Sequence, residues 1–452
     1  MRIVCGPVRK QGRLIPLAVL ITLACAAFLF PVLSAAQTGA PVGESMVSAP
    51  TQPVITEYSP PPEIAAKAAA YRSALHWHFL VDNLWGLVTL ALALVWKLGP
   101  KFRNWAEGRS QRRFVQAWIF APLMLLTLSL LTLPSNIWNQ ALELRFGRSI
   151  QKWGAWWSDW VISQILYLII GTLLVWILYA VLRRSPRRWW FYFWLASVPL
   201  LAVGLFLQPL VVEPLFFKFT PLVEKHPELV AQMEQVIHHG GMEIPRARMF
   251  EMNASSKTTE LNAYVAGFGA SKRAVMWDTT LTKASREEAL FVFGHEMGHY
   301  VLLHIPQMIG WMALVMLVVF YLCYGLSGRL LQRYGADWDV RQMDDWASLP
   351  LLVLVASILM LLGTPAMNAI TRHYELEADR YGIEVIHGIV PDANQVAARY
   401  FEKSGETNLN ETQPSEWVKI WFYDHPTRPE RVHFVATYNP WSKGEKGKFV
   451  PE

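Results

Sequence analysis

Six runs of about twenty consecutive apolar residues punctuate this 452-residue chain and leave it few folds to choose from. They lie at about 79–98, 114–134, 159–182, 189–212, 308–330 and 349–369. Each matches the length a helix needs to cross the hydrocarbon core of a bilayer. Inside that core every backbone N–H and C=O must be bonded within its own segment, so the runs are expected to be transmembrane helices. Composition agrees, with 53% of residues hydrophobic and only 17% charged. Aromatic residues collect where runs meet water: Trp153, Trp156, Trp157 and Trp160 at one edge, Trp189, Trp190 and Phe191 at another.

The rest of the chain divides around these spans. Residues 1–36 join Arg2, Arg9, Lys10 and Arg13 to the apolar stretch Leu14–Leu33 and the small residues Ser34, Ala35 and Ala36. That is the pattern of a secretory signal, and the stretch is also long enough to stay as an N-terminal membrane anchor. Residues 37–78 read as a proline-rich linker followed by a short helix from Ala65 to His78. Residues 79–212 hold four spans, 213–307 a more polar region, and 308–369 two more spans. Residues 370–452 form a second soluble region, mostly helical, which frays into a tail from 438.

Lysine and arginine set the orientation. The 97–113 loop carries Lys97, Lys101, Arg103, Arg109, Arg112 and Arg113, and the 183–188 loop carries Arg183, Arg184, Arg187 and Arg188. The 135–158 loop has only Arg145, Arg148 and Lys152. The two rich loops are expected in the cytoplasm, which puts both soluble regions on the opposite face, the periplasmic side of a bacterial inner membrane. These loops account for the net charge of +6, so no nucleic-acid partner is implied. Cys5, Cys25 and Cys323 are scattered and form neither a disulfide framework nor a zinc set.

The first soluble region contains His295-Glu-Met-Gly-His299. On a helix, His295 and His299 stand one turn apart on one face and can reach a single tetrahedral zinc ion. Glu296, next to the first histidine, is then placed beside the metal, where it can take a proton from an attacking water. Ser285-Arg-Glu-Glu288 reads as a capping box that starts the helix, and no proline interrupts it before Pro306. A third protein ligand is required. The positions where one common class repeats its pattern hold Leu302 and Ile305, which excludes that class. The alternative is a glutamate from a later helix, and Glu375 with Asp379 stands at i, i+4 after the last span. Glu375 can bind the metal while Asp379 holds a ligand histidine by its other ring nitrogen. Glu377 reads as a solvated charge, His373 as a surface histidine, and His238, His239 and His304 as structural or exposed.

Leu261–Gly269 alternates like a strand, and Ala274–Trp277 can pair with it as a β-hairpin. A strand edge near the metal can bind substrate main chain through Asn262, Ala263 and Tyr264. The hairpin can equally be a packing element. In Phe422–Val432, His425 is fixed before Pro426 and can donate to a developing oxyanion, and Arg431 can pair with a carboxylate behind the ligands.

Together these stretches resemble the integral-membrane zinc metallopeptidases known as type 1 CAAX prenyl proteases. The resemblance rests on Val212–Leu222, Asn262-Ala-Tyr264 with Gly267, His295–His299, Glu375–Asp379, and His425-Pro426 with Glu430-Arg431. It implies a zinc endopeptidase with one Zn²⁺ held by His295, His299 and Glu375 and with Glu296 as base. It also implies His425 as transition-state stabiliser and Asn262 as a contact to the substrate strand. Family members ring their chamber with seven membrane helices, and this chain reaches seven only if the N-terminal segment stays attached. The expected fold is mainly α, a polytopic membrane protein with a zincin-like helical catalytic domain carrying a short β-hairpin. Its partners are the bilayer and a peptide or membrane-protein substrate. The contrasting reading is a non-catalytic zinc-binding chaperone or assembly factor, which would need a fourth protein ligand. A transporter is disfavoured because the spans are nearly free of ionisable residues.

Overall fold

The computed structural model describes residues 54–267 and 272–450. The signal-or-anchor reading of 1–36 lies outside the described residues. In chain order the helices begin with α1 (Pro62–Val95), α2 (Leu98–Arg109), α3 (Arg113–Phe146), α4 (Trp153–Arg184) and α5 (Trp189–Leu207). Next come α6 (Leu222–Lys225), α7 (Pro227–His239), α8 (Asp278–Lys283), α9 (Arg286–Val301) and α10 (His304–Tyr334). Last are α11 (Leu349–Ile386), α12 (Ala393–Thr407), α13 (Glu416–Phe422) and α14 (Arg428–Thr437). Among the described residues, six helices are long and apolar enough to cross a membrane: α1, α3, α4, α5 with its continuation to Leu215, α10 and α11. The chain is therefore an integral membrane protein.

Two expected boundaries disappear. The short helix before the first span is the beginning of α1, which runs 34 residues without a break. The last span and the segment bearing Glu375 are likewise one helix, the 38-residue α11. Once a helix is nucleated, each further residue adds a hydrogen bond at little extra cost, so passing from lipid to water does not end it.

The expected hairpin is one side of a larger sheet. Strands β1 (Phe219–Pro221), β2 (Met249–Met252), β3 (Ala263–Ala266) and β4 (Arg273–Trp277) lie in the order β1-β2-β4-β3. β3 and β4 pair antiparallel with Tyr264 opposite Val275, while β2 and β4 run parallel. The turn of the hairpin, 268–271, lies outside the described residues. β3 is an edge strand, and it packs beside α9.

One core fills the soluble part, where Phe291, Phe293, Phe401 and Val385 are buried together. Another surrounds Trp346, which packs on Tyr179 and Phe120 at the end that carries the basic loops. The chain enters α1 from the side of the soluble core: the Ile55 amide donates to Gln395 Oε1 at 2.7 Å, and Gln395 Nε2 donates back to the Ile55 carbonyl at 3.1 Å.

The segment expected to fray from 438 is tied down through Val450. The buried carboxylate of Glu384 accepts from the backbone amides of Lys448 at 2.8 Å, Phe449 at 2.6 Å and Val450 at 3.0 Å, and from the Tyr438 hydroxyl. One buried acid thus satisfies three successive amides of a segment with no regular structure.

Glycines set the spacing between α9 and α11. A Cβ on Gly382 would lie 3.0 Å from the His295 amide nitrogen and 3.2 Å from its Cα, and one on Gly294 would lie 2.6 Å from a Val385 methyl. At Gly382 the obstruction is backbone and cannot rotate away. Gly382→Ala should therefore push the helices apart, costing about 1–3 kcal/mol of stability and weakening metal binding, as a thermal melt and a metal titration on the same preparation would show.

Candidate metal centre

The capping box expected at Ser285 is present. The Ser285 hydroxyl accepts from the Glu288 amide while the Glu288 carboxylate accepts from the Ser285 amide. The helix it starts carries His295, Glu296 and His299 in register. α11 crosses the same face with Glu375 and Asp379 one turn apart. Ligand atoms of His295, His299 and Glu375 all lie within 4.8 Å of one another.

The separations are closer than that bound. His295 Nε2 stands 3.2 Å from His299 Nε2, His295 Nε2 is 3.4 Å from Glu375 Oε2, and His299 Nε2 is 3.3 Å from Glu375 Oε1. A tetrahedral ion with arms of about 2.0–2.1 Å spaces its donors about 3.3 Å apart. Glu375 Oε2 is buried and accepts no hydrogen bond from the described residues, an orphaned acceptor of the kind a cation satisfies. Two imidazole nitrogens and a carboxylate oxygen therefore fit a divalent metal in both geometry and chemistry.

Behind the ligands, Asp379 Oδ1 is 2.9 Å from His295 Nδ1. Asp379 is fully buried, and Arg431 on α14 closes on it with both Nε, at 2.8 Å, and Nη2. Glu296 Oε1 sits 4.0 Å from His295 Nε2, outside the triangle but beside it. Burial raises the Glu296 carboxyl above the ordinary glutamate range, although His295 and His299 pull it the other way. His425 Nε2 is 3.3 Å from Glu375 Oε1, and its Nδ1 is 2.8 Å from Asp424 Oδ1. Burial alone would lower the pKa of His425, but the carboxylates of Glu375 and Asp424 outweigh it and raise the ring above the usual histidine value.

A cavity of about 600 Å³ opens onto this group. Phe291, Glu296, His425 and Asn262 line it, together with Arg72 and Phe79 of α1, so a membrane helix forms part of its wall. Asn262 faces the cavity, and its side-chain oxygen accepts from the Ala263 amide at 2.8 Å. Ala263 is buried in β3. Tyr264 is not brought to the site. Strand alternation turns it to the other face of the sheet, where its hydroxyl donates to Glu213.

Glu377 differs from its sequence reading, and His304 takes the structural one of its two readings. Glu377 is not a free solvated charge: it pairs with Lys448 Nζ at 3.2 Å, and its other oxygen faces His304. His304 is 1% exposed and lies against His299. Its five-residue spacing from His299 hid this, although a histidine opening a transmembrane run was a signal in itself. His373 is at the surface, as expected.

Residues 224–438 match the family described as peptidase family M48, and residues 47–218 match the CAAX prenyl protease N-terminal family with five membrane helices. An uncharacterized metalloprotease of Bacillus subtilis, YhfN, is 34% identical over 382 residues, covering 84% of this chain and 87% of the relative. The human CAAX prenyl protease 1 homolog is 24% identical over 414 residues, covering 80% and 82%. Among solved structures, the crystal structure of S. mikatae Ste24p superposes with a TM-score of 0.71 at 22% identity, covering 84% of this chain and 92% of that one.

Proposed function

The chain belongs to peptidase family M48 and is an integral-membrane zinc metalloprotease, and from this premise we propose that His295, His299 and Glu375 hold one zinc ion while Glu296 acts as general base in peptide-bond hydrolysis. The observation that carries the assignment is the triangle of donor atoms, 3.2 to 3.4 Å on a side, with the Glu296 carboxylate at its edge. Zinc bound there supplies a Lewis acid that polarises the scissile carbonyl and acidifies water.

The remaining work falls to the chain's own groups. Glu296 takes the proton of the attacking water and later passes it to the leaving amine. His425 Nδ1 lies 2.8 Å from Asp424 Oδ1, and the carboxylates of Glu375 and Asp424 raise its ring above the usual histidine value, which favours an Nε2–H donor toward the developing oxyanion. Asp379, itself held by Arg431, fixes the ring of His295. The Trp277 amide donates to the Asn262 carbonyl, so that carbonyl points toward β4. Alternation then turns the backbone of Ala263 and Val265 to the outer edge, where an extended substrate can add as a further strand, with the Ala263 amide already held by Asn262 Oδ1.

We assign the catalytic side to the outer face of the membrane, the periplasm in a bacterial cell, on the strength of the basic 97–113 and 183–188 loops. On that face the substrates are membrane or envelope proteins rather than prenylated CAAX proteins of the cytosol. A reporter fused after Glu452 should be active only as a periplasmic fusion, and cytoplasmic activity would reverse the assignment. Substrates should emerge as proteins that stay uncleaved, and bound to the enzyme, in cells carrying Glu296→Gln; an unchanged membrane proteome would count against proteolysis as the function.

A further inference from the structure

His304 has no part in the mechanism above, yet it is among the most deeply buried polar side chains of the described residues. Its Nδ1 lies 3.1 Å from Nδ1 of His299. Its ring stacks on Tyr374 at 4.6 Å and 21°. Its Nε2 is 3.6 Å from Glu377 Oε2, and Glu377 is held by Lys448 of the clamped C-terminal segment. The backbone brings the ring there by an unusual route. Leu303, between α9 and α10, adopts φ 56°, a left-handed conformation disfavoured for leucine. That residue turns the chain so that α10 starts with His304 beneath His299.

The hydrogen positions follow from the donor set. His299 points Nε2 at His295 and Glu375, so a metal there takes Nε2 and leaves the proton on Nδ1. The atom facing that proton is His304 Nδ1, which must accept it and therefore carries its own proton on Nε2, toward Glu377. The two ligand histidines are thus steadied differently, His295 by a carboxylate and His299 by a neutral ring.

We propose that His304 is the positioning residue of His299, accepting a hydrogen bond from its Nδ1–H and fixing its tautomer and ring plane, with Glu377 orienting His304 in turn. The inference rests on the zinc assignment made above, and the test separates the two. Full-length protein in detergent is titrated with zinc against a chelating dye, and cobalt-loaded samples are compared by visible absorption. Wild type that takes up no zinc would overturn the metal assignment itself.

With wild type loaded, His304→Phe keeps the stack on Tyr374 but removes the acceptor, and its zinc affinity should fall about 10- to 100-fold. His304→Asn places an amide oxygen near the position of Nδ1 and should stay within about threefold of wild type. His304→Gln reaches the wrong position and should behave like the phenylalanine variant. A purely packing role predicts the reverse order, phenylalanine tolerated best and asparagine worst. Wild-type affinity in His304→Phe, or asparagine weaker than phenylalanine, overturns the proposal. Should the ring variants fail to fold, Glu377→Leu leaves His304 in place and frees its tautomer. A several-fold loss of zinc affinity there supports the relay, and an unchanged affinity removes it.

Discussion

Glu296→Gln leaves zinc bound at wild-type stoichiometry and lowers peptide hydrolysis by about a hundredfold to ten-thousandfold, the contribution of a positioned general acid–base group. Glutamine preserves the shape of the side chain and cannot accept the proton. The metal is unaffected because Glu296 is not among the three donors; its carboxylate stands 4.0 Å from His295 Nε2 and makes no edge of the triangle. Burial around the site lifts the carboxyl above its ordinary range, against the pull of His295 and His299. The loss should fall on kcat with KM little changed, because proton transfer is felt in the transition state and not in binding. Casein or peptide hydrolysis, with elemental zinc measured on the same samples, checks both halves. Hydrolysis at the normal rate would remove Glu296 from the mechanism.

Arg431→Leu should cost about 3–5 kcal/mol of stability, the penalty for leaving one member of a buried ion pair uncompensated. Asp379 has no exposed surface and Arg431 is 5% exposed, so no water replaces the lost guanidinium. The pair is two-pronged, and Arg431 Nη2 also lies 3.6 Å from Glu375 Oε2, so its charge balances two carboxylates. A whole domain is stable by only about 5–15 kcal/mol, which makes this loss a large fraction. Adding Asp379→Leu should recover much of the melting temperature, because two apolar groups pack where two charges stood. It should not recover zinc affinity, because His295 Nδ1 then has no acceptor. Thermal melts of both variants, with metal titrations, give the coupling directly. A single variant that melts like wild type would show that the pair is not what holds α14 to α11.

Much of this architecture was readable from the chain because its signals are local. The apolar runs report the solvent around each helix, and the i, i+4 spacings of His295 with His299 and Glu375 with Asp379 report one helical face. The capping box at Ser285 is likewise a four-residue signal. What escaped reading depends on distant partners. β1 and β2 are three and four residues long, too short to show alternation, and β2 pairs parallel with a strand more than twenty residues later. Hydropathy placed a boundary near 369 because polarity changes there, although the backbone of α11 does not. The C-terminal segment looked frayed because the group that orders it, Glu384, is sixty-odd residues upstream. The contact of His304 with His299 is not legible in the sequence, because the left-handed turn at Leu303 that delivers it has no signature in a leucine.

The unbroken α11 also acts as a depth gauge. Its apolar run ends near residue 369, and Glu375 follows six residues later on the same rigid rod, at most about 9 Å further along. The point of attack cannot drift far from the lipid surface. An extended chain covers that distance in about three residues. A substrate rooted in the same bilayer would then present the bonds just outside its own anchor, which makes distance from the membrane a proposed basis of selection.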